Sequence, residues 1–263
     1  MQPIISIINN KGGVGKTTTT CNLAEALGKM RKKTNVLVID NDPQCNTTVK
    51  LLDAKTTIRH SLYDILNEDS VDIKECIYTT TCNNVYLIPN IELTVSVEPS
   101  LIYSAPESLS KLHKALQDDI MKKFQFVLID NPPNMGTFIL CALYASNQVM
   151  VPVNARSFDS ITGLNKAMEL VKEVQLKGNP DLRFLRILTT GADKRTSISK
   201  TIINQLRETF SKDQIFQTVI PIDTKFEQSE INRQTIFQCN STTKGANAFR
   251  KLAQELSAIF KEK

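Results

Sequence analysis

The chain has 263 residues, 41% hydrophobic and 22% charged, which is enough apolar material for a full core and excludes a disordered polypeptide. No run of about 18 apolar residues occurs and the chain enters a strand almost at once, so neither a spanning helix nor a signal peptide is expected and the protein reads as cytosolic. The net charge of +5 permits a nucleic-acid surface without requiring one, so the location of the charge has to decide.

Pro3-Ile4-Ile5-Ser6-Ile7-Ile8 is apolar and β-branched and predicts a buried strand. Lys11-Gly12-Gly13-Val14-Gly15-Lys16-Thr17-Thr18 follows, and Leu23, Ala24 and Leu27 then recur at helical spacing. Strand, glycine-rich turn and helix is the setting a phosphate-binding loop needs. Three of the nine glycines sit here, where the missing Cβ lets successive N–H groups turn inward toward a polyphosphate. The helix adds the positive end of its dipole. Lys16 would neutralise the outer phosphates, and the Thr17 hydroxyl would bind Mg²⁺. Residue 10 is Asn, so the loop is not the common Gly-x-x-x-x-Gly-Lys-[Ser/Thr] form but a shorter one that opens with a second lysine, Lys11.

This run resembles the deviant phosphate loop of the ParA/MinD ATPases, and within them the small plasmid and chromosome partition ATPases. The resemblance implies ATP and Mg²⁺ as cofactors, with ATP contacts from Lys11, Gly12, Gly13, Val14, Gly15, Lys16, Thr17 and Thr18 and from Pro221 and Asp223 further on. It also implies that Lys11 crosses a dimer interface to the partner's phosphates. A cation supplied in trans makes the nucleotide part of the contact between subunits and can stabilise charge on the transferred phosphoryl.

Val36-Leu37-Val38-Ile39-Asp40 predicts a second buried strand, followed by Asn41-Asp42-Pro43-Gln44. Acids that end strands of an open parallel sheet lie at the carboxyl edge, where ligands bind. By resemblance Asp42 orients the attacking water and Asp40 supports the Mg²⁺ site. Cys45 stands where relatives usually have Gly, which predicts a stiffer loop. A short helix is expected near Ser61–Leu66, a strand over Asn84–Pro89, and an amphipathic helix from Pro106 to Met121, marked by Leu109, Leu112, Leu116 and Ile120. Phe124 to Asp130 is a third core strand closed by an acid, the Walker B pattern in which Asp130 holds Mg²⁺, usually through water.

Gln148 to Val153 predicts a fourth strand, after which Arg156 replaces the glutamate of relatives. A helix over Ser157–Lys177, a strand over Leu185–Thr190, a helix over Ser197–Phe210 and a last long strand over Ile215–Ile220 follow. The final helix carries Phe249, Leu252, Leu256, Ile259 and Phe260 on one face, which is expected to pack on the sheet rather than on a membrane. Six cysteines without Cys-x-x-Cys spacing, beside two histidines, point to free or buried thiols and away from zinc.

Alternating strands and helices without a linker predict one α/β domain over residues 1–263. Its fold is expected to be a three-layer, mostly parallel twisted sheet with helices on both faces. Only Met1 and Gln2 precede the first strand, so the helix-turn-helix of some relatives is not expected. By resemblance, DNA would be held without sequence preference by Arg195 and Lys225; Lys194, Lys200 and Arg233, nearby in sequence, are expected to widen the patch, while Glu227 and Glu230 depart from the family pattern and dilute its second segment. The basic residues are point charges for phosphate. The resemblance as a whole implies a nucleoid-associated ATPase that forms an ATP-sandwich homodimer, with slow hydrolysis stimulated by a ParB-type centromere-binding partner. A MinD-like membrane ATPase and a ParA-like positioner of a protein cargo are the alternatives.

Overall fold

A computed structural model describes residues 2–30, 34–68 and 70–261. β1 (Ile4–Ile7) leads into α1 (Lys16–Gly28), β2 (Val36–Asp40), α2 (Asn46–Leu51) and α3 (Leu62–Asn67). Next come β3 (Tyr78–Thr79), β4 (Val85–Ile88), α4 (Glu98–Tyr103), α5 (Lys111–Ala115), β5 (Phe126–Asp130) and α6 (Thr137–Ala145). The chain continues through β6 (Gln148–Asn154), α7 (Asp159–Lys177), β7 (Arg183–Thr190) and α8 (Ser197–Thr209), then α9 (Thr224–Ile231), α10 (Ile236–Asn240) and α11 (Lys244–Ile259).

The strands form one sheet in the order β3-β4-β2-β5-β1-β6-β7. Every pairing is parallel except that of β3 with β4. Side chains alternate across a strand, so each core strand feeds two layers. Val36 and Val38 pack with α1, α10 and α11, whereas Leu37 and Ile39 face α3, α5 and α6. β6 and β7 extend that second layer against α7 and α8. The expected three-layer α/β fold is therefore present, and β1 sits inside it between β5 and β6.

Phe249, Leu252 and Leu256 of α11 are fully buried against the first layer, with Ile259 and Phe260 partly buried on the same cluster. This face belongs to the core, as expected, and among the described residues no helix is long and apolar enough to cross a membrane. The cysteines are free; all are buried but Cys239, which is half-buried.

Two expectations need correction. The single helix over Pro106–Met121 is broken into a 3₁₀ turn (Glu107–Ser110), α5 and a second 3₁₀ turn (Asp119–Lys123). The Ser108 and Ser110 hydroxyls donate to the carbonyls of Leu101 and Glu107, and Asp118 accepts from the Ile120 N–H. Side chains that bond the local backbone compete with the helix ladder, yet Leu109, Leu112 and Leu116 are still buried. Second, Ile215–Ile220 runs beside β7 without forming a continuous strand. Among the described residues it bridges β7 at Ile187↔Ile215, a second parallel bridge, Ala192↔Pro221, follows just beyond both segments, and the Phe216 and Ile220 N–H groups donate to the Ile187 and Thr189 carbonyls. Between them the N–H groups of Gln217 and Thr218 donate to the Glu255 carboxylate on α11, at 2.7 and 2.9 Å. Those amides are thereby taken out of any ladder.

Candidate active site

β1 delivers the chain to the carboxyl edge of the sheet, where residues 11–15 curl before α1. Gly13 and Gly15 adopt φ of +72° and +90°, a region that a Cβ would strain. Two neighbouring strand ends tie the loop down. Thr190 Oγ1 donates to the Val14 carbonyl at 2.8 Å, and Asn154 Nδ2 to the Gly13 carbonyl at 3.2 Å. Lys16 is buried, and its ammonium donates to the carbonyls of Asn9 and Lys11, both at 3.2 Å. Burial lowers its pKa, while the charges of Asp130 and Asp42 oppose that shift.

β2 and β5 are neighbours in register, so Asp40 and Asp130 lie side by side, both fully buried. Asp130 accepts from three hydroxyls: Thr17 and Thr47 at 2.7 Å and Thr20 at 3.1 Å. Asp40 accepts from the N–H and hydroxyl of Thr48, each at 2.7 Å, and from the Asp42 N–H at 3.2 Å. Burial raises both carboxyls. Asp40 is pushed up to about 8, first by desolvation and then by the charge of Asp130.

A buried acid pair fringed by hydroxyls is a hard-oxygen environment short of positive charge. Among the described residues no cluster of three or more metal-ligating side chains could cage an ion alone. Magnesium suits this setting, because it keeps waters and takes ligands from substrate phosphates beside one or two carboxylates. Thr17, Asp130 and Asp40 fit that role.

Asp42 lies just beyond the acid pair, nearly buried. Its Oδ1 accepts from the Gln44 N–H at 3.0 Å, and Oδ2 accepts nothing among the described residues. One carboxylate oxygen is thus held and the other is available to a water. Cys45 takes φ +57° and ψ 25°. It keeps a glycine-like backbone, which costs a residue with a Cβ about 1–2 kcal/mol. Pro221 is half-buried at its bridge to Ala192, and Asp223 is the N-cap of α9 and also reaches the first turn of α11. Its oxygens accept from the N–H groups of Lys225 and Gly245 at 3.1 and 2.9 Å.

Several residues here lie outside the sequence expectations. Asn9 Nδ2 donates to the carbonyls of Pro152 and Ser160, and its Oδ1 accepts from the Lys11 N–H at 2.9 Å. The Lys11 ammonium points away from its own loop to Asp159 Oδ2 at 3.0 Å. Glu230 on α9 pairs with the buried Lys50 of α2 and accepts from Thr18 Oγ1 at 3.2 Å. Beyond diluting a basic segment, Glu230 therefore braces the nucleotide helix. An Asn two residues before the lysine is the one local signal that could have found part of this set. The partners of Lys11 and Lys50 are too remote in sequence.

The basic residues are only partly gathered. The Ala192–Pro221 bridge lays the Asp193–Thr196 loop beside the start of α9, which puts the segments carrying Arg195 and Lys225 together. Lys194, Arg195 and Lys200 are exposed, and the Asp193 carboxyl is held below its ordinary value first by its hydrogen bonds from Arg195 and least by the charge of Lys244 at the start of α11. The Arg195 guanidinium grips Asp193 through two bonds of 2.9 and 2.8 Å, so much of its charge is already matched. Lys225 Nζ donates to Gln228 Oε1 at 2.6 Å. Arg233 is exposed beyond the far end of α9, about 12 Å of helix away. Arg156 is exposed, with its N–H on Asn154 Oδ1.

A strand, a glycine loop closing on a buried lysine, and two strand-end acids beside a threonine define a P-loop nucleoside triphosphatase. Sequence comparison matches residues 2–184 to the AAA domain. The sporulation initiation inhibitor protein Soj of Bacillus subtilis is 33% identical over 258 residues, covering 98% of this chain and 99% of that one. The chromosome-partitioning ATPase Soj of Thermus thermophilus is 35% identical, covering 98% and 96%. Among solved structures, cobyrinic acid a,c-diamide synthase from Mycobacterium smegmatis, with bound ADP and magnesium, superposes with a TM-score of 0.83 at 26% identity, covering 99% and 96%. The chain belongs to the ParA/MinD family of ATPases.

Proposed function

We propose that the protein is a partition ATPase. Two copies close on Mg²⁺ and ATP, the dimer binds DNA without sequence preference, and slow hydrolysis, stimulated by a ParB-type centromere-binding protein, resets it on the nucleoid. The observation that carries this reading is the division of labour between the two loop lysines. Lys16 lies in the hollow of its own loop, whereas Lys11 extends to the surface, its side chain 48% exposed. A lysine placed outward at the mouth of a phosphate site is suited to a second subunit's nucleotide.

In this reading the backbone of Gly12 to Gly15 and Lys16 bind the phosphates, Lys16 giving up the carbonyls of Asn9 and Lys11. Thr17, Asp130 and Asp40 hold Mg²⁺, which when bound offsets phosphate charge. Asp42 orients the attacking water through its unengaged oxygen, and Lys11 is supplied in trans. Pro221 and Asp223 shape the adenine end of the site, Asp223 by fixing the starts of α9 and α11. Lys194, Arg195, Lys200 and Lys225, with Lys244, supply the DNA surface, and Arg233 lies at its margin. The buried apolar face of α11 favours DNA over a membrane as the surface on which the dimer acts.

The test is size-exclusion chromatography with Mg²⁺ and ATP, followed by titration of two unrelated DNA duplexes over a range of salt. Nucleotide-dependent dimers that bind both duplexes equally, with affinity falling steeply in salt, are expected. Monomers under all conditions, or binding to anionic liposomes but not DNA, would overturn the reading.

A further inference from the structure

The first turn of α7 holds Lys11 twice. Its backbone is fixed through Asn9, whose side chain bridges the Lys11 N–H and the Ser160 carbonyl. Gly163 on the same helix makes this approach possible, since a Cβ there would come within 2.1 Å of Asn9 Oδ1. The Lys11 ammonium is then held by Asp159, the first residue of α7, at 3.0 Å. One helix end therefore sets both the path of the chain into the loop and the direction of the lysine.

We propose that Asp159 is a positioning residue that keeps Lys11 on its own subunit, so that closing the dimer requires two Lys11–Asp159 pairs to break. The proposal rests on the reading that Lys11 serves the partner's nucleotide. A single ammonium cannot sit on the Asp159 carboxylate and on a phosphate of the facing subunit at once. Asp159 carries one negative charge and is 70% exposed at its side chain, whereas a triphosphate carries several. The carboxylate is therefore displaced when ATP is present and retains the lysine when it is not. Encounters between nucleotide-free subunits consequently gain nothing from Lys11, which sharpens the dependence of dimerisation on ATP. After release, Asp159 stays at the positive end of the α7 dipole, so its charge remains favourably placed.

An exposed pair of this kind holds its lysine by about 2- to 5-fold, and two pairs per dimer make about 4- to 25-fold in the dissociation constant at low salt. The experiment is sedimentation velocity of the full chain with Mg²⁺ and a non-hydrolysable ATP analogue, comparing wild type, Asp159→Asn, Asp159→Glu, Lys11→Ala and the Lys11→Ala/Asp159→Asn double variant. Asp159→Asn is expected to dimerise more tightly by that factor, with unchanged nucleotide affinity in dilute monomer. The gain should fade as salt screens the exposed pair. Asp159→Glu should resemble wild type, and the double variant should resemble Lys11→Ala. If Asp159→Asn has the wild-type constant while Lys11→Ala fails to dimerise, the role of Asp159 is refuted and the trans lysine stands. A Lys11→Ala dimer as tight as wild type would refute the underlying reading instead.

Discussion

The acid pair at the ends of β2 and β5 makes the nucleotide-free protein sensitive to pH, and Asp40→Asn isolates the effect. In the folded chain the Asp40 carboxyl holds its proton up to about 8, against an ordinary value of 3.8. Between those values the folded state binds the extra proton, so stability is present at low pH and falls as pH rises toward 8. Each pH unit in this window is worth about 1.4 kcal/mol, so from pH 5 to 7 Asp40 removes up to about 3 kcal/mol. For a chain of this length that is about 6–12 °C in melting temperature. The assay is thermal unfolding in EDTA at pH 5, 6 and 7. Asp40→Asn has no charge to develop at this position, and its oxygen can still accept from Thr48, although the bond from the Asp42 N–H is compromised. The variant is expected to start below wild type at pH 5 and to gain on it with each pH unit. Mg²⁺ and ATP should remove most of the wild-type slope, because a cation beside the pair stabilises its ionised form. A variant that declines in parallel with wild type would refute the argument, as would a wild-type slope untouched by Mg²⁺ and ATP.

Lys16→Ala should abolish ATP binding in a fluorescent-nucleotide titration, since the loop loses the buried cation in its hollow; near-normal affinity would remove the phosphate-loop assignment. Asp42→Ala should bind ATP and dimerise but lose about 10²-fold or more in phosphate release. Turnover at the wild-type rate would mean that another group positions the water. Lys225→Ala should weaken DNA binding evenly across sequences and lower the salt slope by about one. Arg195→Ala should do less, because Asp193 already matches its charge, and Asp193→Ala should tighten DNA binding by freeing the guanidinium. Filter binding in a salt series separates these, and equal losses for Arg195→Ala and Lys225→Ala would contradict the Asp193 pairing.

The sheet, the loop and the acids were legible because each has a local cause. A buried parallel strand is a short apolar run, a phosphate loop needs glycines at fixed offsets, and an acid closing such a strand must lie at the ligand edge. The surroundings of those residues were less legible. That Asp40 stands beside Asp130 depends on β2 pairing with β5, which no local pattern states. Thr20 and Thr47 look like any other helix threonines until they meet Asp130. Lys11 and Asp159 are 148 positions apart, and Lys50 and Glu230 are 180 apart. The misread elements have equally concrete causes. Serines bonding nearby carbonyls broke the helix expected over Pro106–Met121. Glu255, from the last helix, took the amides that would have completed a strand over Ile215–Ile220.

Helix α9 has a mechanical consequence. It is eight residues long, a rigid rod of about 12 Å. Asp223 pins its first turn and also the first turn of α11, next to Lys225. Near its other end Glu230 grips Lys50, on the helix that follows the Asp42 loop, and Thr18, in the first turn of the nucleotide helix. A short helix transmits a push along its axis instead of absorbing it. If Lys225 meets DNA as proposed, a shift of α1 or α2 that carries Glu230 with it would press along α9 on the Asp223 anchor beside Lys225, joining the nucleotide end of the molecule to its outer surface.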